Sequence, residues 1–165
     1  MKKVNLGVKV LMLALASYFV TSCSNDNSDY YSICPTFSDI TFVTTDGSST
    51  LCVGDTIIAT AVQSRQGNLL NTTNYTWSCD ADSIGYHANT SKLIYDYDKS
   101  NPTDTIVINE AGTYELSLDI VYRVSGLYSG LSGTTKNGDF SVTYSTGSTR
   151  YQVSMSKEFT VRRAQ

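Results

Sequence analysis

The chain has 165 residues, a net charge of −3 and a single histidine. Its 12 basic residues are scattered rather than clustered, which argues against nucleic acid as a partner. Serine, threonine, tyrosine and glycine are abundant after position 30 while good helix formers are scarce, which favours strands and turns over helices.

The first element is a signal. Lys2-Lys3 precede an apolar run that ends in Val20-Thr21-Ser22-Cys23, the basic, hydrophobic and small-residue order of a secretory leader. A cysteine directly after those small residues is the thiol a lipid-transferring enzyme needs. Residues 1–22 are therefore expected to be cleaved, leaving Cys23 as the lipidated first residue. An ordinary leader cut elsewhere, or a short membrane helix, is the competing reading. Only Val10 to Val20 is uninterrupted, short of the roughly 20 apolar residues a spanning helix needs. Acyl chains on Cys23 would anchor the chain, because each buried CH₂ contributes about 0.8 kcal/mol. Residues 23–36 are expected to form a solvated tether, since Ser24-Asn25-Asp26-Asn27-Ser28-Asp29 offers nothing to pack.

Residues 37–165 are long enough for one domain. Period-two alternation recurs through them, bounded by Gly, Asn, Asp and Ser clusters. Ser38 to Thr44 carries Ile40 and Phe42 on one face, and Val53 to Val62 carries Val53, Ile57, Ala59 and Ala61. A strand is expected to begin at Tyr75-Thr76-Trp77, with shorter ones at Leu93 to Tyr97 and Thr105 to Ile108. Thr113 to Val124 is the clearest, with Tyr114, Leu116, Leu118, Ile120 and Tyr122 opposite Thr113, Glu115, Ser117, Asp119 and Arg123. Phe140 to Tyr144 and Tyr151 to Val161 follow, and Asn137-Gly138 suits a tight primed turn. The expected fold is an all-β sandwich of seven to nine strands.

Cys34, Cys52 and Cys79 remain once Cys23 is lipidated, in a compartment that permits disulfides. Three cysteines allow one bridge and one leftover, and spacing alone does not assign the pair. Catalysis has little to recommend it. His87 stands in a loop-like stretch with no nucleophile elbow, and no spacing selects a carboxylate pair, so a non-enzyme is expected. Asp96, Asp98 and Asp104 present oxygen ligands for calcium, the one cofactor suggested, although an EF-hand glycine and terminal glutamate are missing. Tyr86, Tyr128 and Tyr144 lie in or beside loops, where a ring offers a sugar a flat platform.

Cys52-Val53-Gly54-Asp55-Thr56-Ile57, Tyr75-Thr76-Trp77, Ala111-Gly112-Thr113-Tyr114-Glu115-Leu116 and Phe159-Thr160-Val161 together resemble a PKD-like domain of bacterial surface lipoproteins. The resemblance covers about Ser38 to Val161. It implies an immunoglobulin-like sandwich with Trp77 buried and Tyr114 as a tyrosine corner, its hydroxyl bonded to an upstream backbone group. The antibody inter-sheet disulfide is absent, Ala59, Ala61 and Leu116 standing where it would be. The implied topology brings Cys52 towards Cys79 and leaves Cys34 unpaired. A segment from about Ser125 to Ser148 is extra to the family pattern. The residues after Cys23 resemble the export signals of Bacteroidetes surface lipoproteins, which implies an outer-membrane, surface-exposed location. Asp55-Thr56-Ile57, Asp82-Ser83-Ile84 and Asp104-Thr105-Ile106 resemble the O-glycosylation acceptors of that group, with Thr56, Ser83 and Thr105 as the modified residues. The expected function is recognition of a glycan or protein from the cell surface. The alternative is a structural or assembly component pairing through a sheet edge or the C-terminal hairpin.

Overall fold

The computed structural model describes residues 30–81, 91–95 and 101–164. The signal, Cys23, Ser83, Tyr86, His87, Asp96 and Asp98 lie outside the described residues. Among the described residues the chain is nearly all β, and no helix is long and apolar enough to cross a membrane. Eleven strands follow one another: β1 (Tyr31–Ser32), β2 (Thr36–Thr44), β3 (Thr56–Arg65), β4 (Leu70–Cys79), β5 (Ser91–Tyr95), β6 (Thr103–Val107), β7 (Gly112–Val124), β8 (Leu127–Tyr128), β9 (Gly133–Asn137), β10 (Phe140–Thr146) and β11 (Arg150–Val161).

They form a three-stranded sheet in the order β2-β3-β6, a six-stranded sheet in the order β5-β4-β7-β11-β10-β9, and a small β1-β8 ribbon. Both main sheets are antiparallel, whereas β1 runs parallel to β8. The alternating residues of both sheets meet in one apolar core, compatible with a sandwich. Ile57, Ala59 and Ala61 enter it from β3, Trp77 from β4, and Leu116, Leu118, Ile120 and Tyr122 from β7. Side chains also join the sheets directly. The rings of Phe42 on β2 and Phe159 on β11 stack with centroids 4.6 Å apart. Lys157, an inward position on β11, reaches Asp39 of β2 at 2.7 Å, so a charge that would be costly to bury alone finds its counter-ion.

Three local features differ from the sequence expectation. First, β4 begins at Leu70 rather than Tyr75, after a register shift between Leu70 and Thr72 opposite β7. Polar Asn71-Thr72-Thr73-Asn74 hides the strand in composition, yet Thr73 is buried there. Second, the expected tether is folded from Tyr31 on. Ser32, Cys34 and Pro35 are buried, and the Ser32 hydroxyl donates to the Leu69 carbonyl (2.6 Å) while accepting from the Ser125 and Gly126 amides. One hydroxyl thus serves three backbone groups, the kind of side chain–backbone bond that ties irregular segments down. Third, the expected Asn137-Gly138 turn places Gly138-Asp139 at its centre, because Asn137 pairs with Phe140. Of those two only Gly138 has positive φ, 61°, as a type II′ turn requires.

Candidate functional site

β7, β11 and β10 lie side by side, with β4 beyond β7 and β9 beyond β10, and their outward residues fall into rows across the sheet. One row reads Ser78, Ser117, Ser156, Ser141 and Lys136. The next reads Thr76, Asp119, Ser154, Thr143 and Thr134. Rows are spaced by the two-residue repeat, about 6.8 Å, and positions within a row by about 4.8 Å. A lattice made mainly of hydroxyls results, five strands wide.

Neighbouring strands are cross-linked through it. Ser154 donates to Asp119 Oδ1 at 2.6 Å, Ser141 and Ser156 share a bond of 3.1 Å, and Thr134 and Thr143 share one of 2.9 Å. A shallow hollow of about 240 Å³ opens at its centre, lined by Glu115, Ser117, Asp119, Ser141, Thr143 and Ser154 among others. Each hydroxyl is both donor and acceptor, and each carboxylate is an acceptor. The face offers interleaved hydrogen-bonding groups without a deep pocket.

The residues singled out from the sequence have other surroundings. Tyr144 accepts a hydrogen bond from the Phe37 amide at 2.7 Å, which satisfies an edge group of β2. Partial burial, with Cys34 nearby, pushes its phenol upward, while the Phe37 amide and Arg65 offset part of the effect. Tyr128 donates to the Ser148 carbonyl and meets Tyr151 edge-on at 6.1 Å. Both tyrosines spend their polar tips on the backbone, so the expected loop platforms are built into the fold. Asp104 alternates inward on β6 and is 4% exposed, with Oδ1 accepting from the Thr105 amide at 2.8 Å. The expected calcium ligand is therefore a buried strand residue rather than a loop residue. Among the described residues no three His, Cys, Asp or Glu side chains group to hold a metal ion. Thr105 is exposed on β6, whereas Thr56 is half-buried at the start of β3.

The expected Cys52–Cys79 bridge is not formed; Cys34, Cys52 and Cys79 are thiols. Cys52 is held by a parallel bridge to Arg162 beyond the end of β11, and its amide donates to Asp55 (2.8 Å). Cys79 closes β4 opposite Leu116 of the neighbouring β7, with its thiol turned to Asp80 (3.7 Å). Separate ladders fix the two backbones, and a disulfide demands a specific Cα and Cβ approach. Tyr114, by contrast, donates to the Glu110 carbonyl at 3.0 Å as expected. Its ring lies so close over Gly112 that a Cβ there would meet Tyr114 Oη at 2.9 Å.

The lattice was half visible in the sequence: Thr113, Glu115, Ser117 and Asp119 alternate outward on one strand. The neighbours that complete each row depend on register, which spacing does not give. Comparison with family models, with curated proteins and with solved structures gives no match, so the reading of this face rests on its geometry.

Proposed function

We propose that the chain is a lipid-anchored, non-catalytic envelope protein whose immunoglobulin-like, PKD-like sandwich recognises a polyhydroxylated glycan on its outer hydroxyl face. Several features support the immunoglobulin-like assignment. The strand order β2-β3-β6 against β5-β4-β7-β11 follows an A-B-E and C′-C-F-G arrangement, Trp77 is fully buried on β4 at the strand C position, and Tyr114 makes the corner bond. The lipid on Cys23 rests on the leader sequence, and the outward-facing location on the resemblance of the residues after Cys23 to surface-lipoprotein export signals.

The observation that carries the recognition reading is the pair of in-register rows across five strands, Ser, Thr and Asp throughout except for Lys136 at one end. Sugar hydroxyls are matched by such groups, but each bond exchanges for one to water and nets only about 0.5–1.5 kcal/mol. A single domain would then bind weakly, with Kd of about 1 mM, and many anchored copies would supply avidity.

A glycan array probed with the mature chain, clustered on beads, tests this with calcium and then with chelator. Binding lost in a Ser117→Lys/Ser154→Lys double variant supports the face, and binding that survives it contradicts the face. Loss with chelator alone assigns calcium a role at Asp96 and Asp98.

Assembly is the second reading, favoured by β9. All five residues of Gly133–Asn137 are exposed, and no described strand pairs with its outer edge. An edge of this kind is a template for an added strand. Lys136 pairs with Ser141 one step from the turn-closing Asn137–Phe140 pair, so its amide faces the outer edge. Lys136→Pro would abolish a complex formed there while leaving the hollow between β7, β11 and β10 unaltered.

A further inference from the structure

We infer that the end of the molecule carrying the β1-β8 ribbon rests on the anionic headgroups of the membrane that holds the anchor, so that the domain stands in a fixed orientation rather than tumbling on a tether. The inference rests on the lipid-anchor reading above. Three large apolar side chains stand out as exposed among the described residues: Tyr30 (70%), Leu127 (63%) and Tyr31 (38%). All three belong to one patch, since Tyr31 is the Cα partner of Leu127. Amphipathic tyrosine rings favour the membrane–water interface, where the ring meets acyl chains and the hydroxyl meets water.

Charge at this end complements the apolar patch. Arg123 and Arg150 are direct cross-strand partners, both exposed, and like charges so placed repel. Neither makes an ion pair with a described residue. Arg65, also exposed, lies at the same end, paired with Thr36 and donating to the Cys34 carbonyl at 3.2 Å. Among the described residues of this end, 30–36, 64–70, 123–131 and 146–150 contain no aspartate or glutamate; Asp96 and Asp98, with Lys99, belong to the connection between β5 and β6 and lie outside the described residues. Anionic phosphates would relieve the Arg123–Arg150 repulsion, and each arginine near such a surface strengthens binding about fivefold.

Reach agrees with this placement. The described chain begins at Tyr30, inside the patch, and the seven residues from Cys23 to Asp29 extend at most about 25 Å. An anchor on Cys23 therefore keeps this end within a short distance of the bilayer.

Hydrogen exchange on the full mature chain tests the inference, measured in detergent, in phosphatidylcholine vesicles and in vesicles of phosphatidylethanolamine with phosphatidylglycerol. Intact mass first shows whether Cys23 carries lipid; an unmodified Cys23 overturns the anchor reading independently, and exchange with added vesicles still judges the surface. Amides of Tyr31–Ser32 and Leu127–Tyr128 should slow about tenfold on the anionic vesicles, with Gly138–Asp139 at the far end unchanged. Arg123→Gln/Arg150→Gln should remove the preference for anionic lipid, and Tyr30→Ser/Leu127→Ser should remove the protection. Equal exchange in all three media, or protection at the far end, overturns the inference. Protection that is absent on lipid vesicles but present in native envelope membranes assigns the patch to a protein partner and equally overturns it.

Discussion

Burial pushes the Cys34 thiol up to about 12, against an ordinary value of 9.0, with nearby Arg65 offsetting part of the effect. The buried thiol is thus neutral wherever the unfolded chain has begun to ionise. A raised folded pKa contributes stability that is whole below the unfolded value and is lost as pH climbs towards the folded one. Burial raises Tyr144 and Tyr151 as well, in the same alkaline direction. Thermal stability should accordingly fall between pH 9 and 12, and Cys34→Ala should flatten that slope by removing one titrating group. A slope unchanged by Cys34→Ala would contradict the burial. The same environment controls reactivity, because only thiolates are nucleophilic. Alkylation at pH 8 should modify half-exposed Cys52 first and reach Cys34 only on unfolding, as peptide mass mapping would read.

Among the elements, the β9-β10 hairpin is where one residue decides the geometry. Gly138 adopts φ 61° with open space where a Cβ would sit, so substitution there meets backbone strain and not a clash. Gly138→Val should cost about 1–2 kcal/mol in denaturant unfolding, whereas Gly47, also at positive φ, tests only its own turn. At the start of β7 the constraint is different, since a Cβ on Gly112 would meet the Tyr114 ring at 3.0 Å and displace the corner. The inward faces of these strands were legible because hydrophobic alternation reports burial directly: Ile57, Ala59, Leu116, Leu118 and Ile120 stand where the period places them. The Asn-Gly pair likewise marked the hairpin. Other features were hidden because they depend on partners distant in sequence. Lys157 interrupts an apolar series and makes sense only with Asp39, 118 residues away. Tyr128 and Tyr144 looked like loop platforms because nothing local shows that Ser148 and Phe37 occupy their hydroxyls. The Cys52–Cys79 pairing failed for a related reason: proximity at one end of a sandwich does not supply disulfide geometry.

At the scale of the whole molecule, the two ends differ in chemistry. Arg65, Arg123 and Arg150 surround the exposed rings beside the N-terminal ribbon, while Asp46, Asp55, Asp80 and Glu110 lie in the turns and strand ends opposite. Thr44 and Ser48 hydrogen-bond to Asp46 and hold its carboxyl below the usual aspartate range, and the exposed Arg162 and Arg163 share that end with these carboxylates. A domain seated on its cationic end presents the β4-β7-β11-β10-β9 face sideways, accessible along its full width to a ligand lying parallel to the strands or across them. The most direct test of that recognition role is a two-dimensional amide NMR spectrum of the mature chain titrated with a glycan that binds on the array. The account predicts shifts clustered on Ser78, Ser117, Ser154, Ser156, Ser141 and Thr143. Shifts confined to the turns, or to the outer edge of β9, would contradict it.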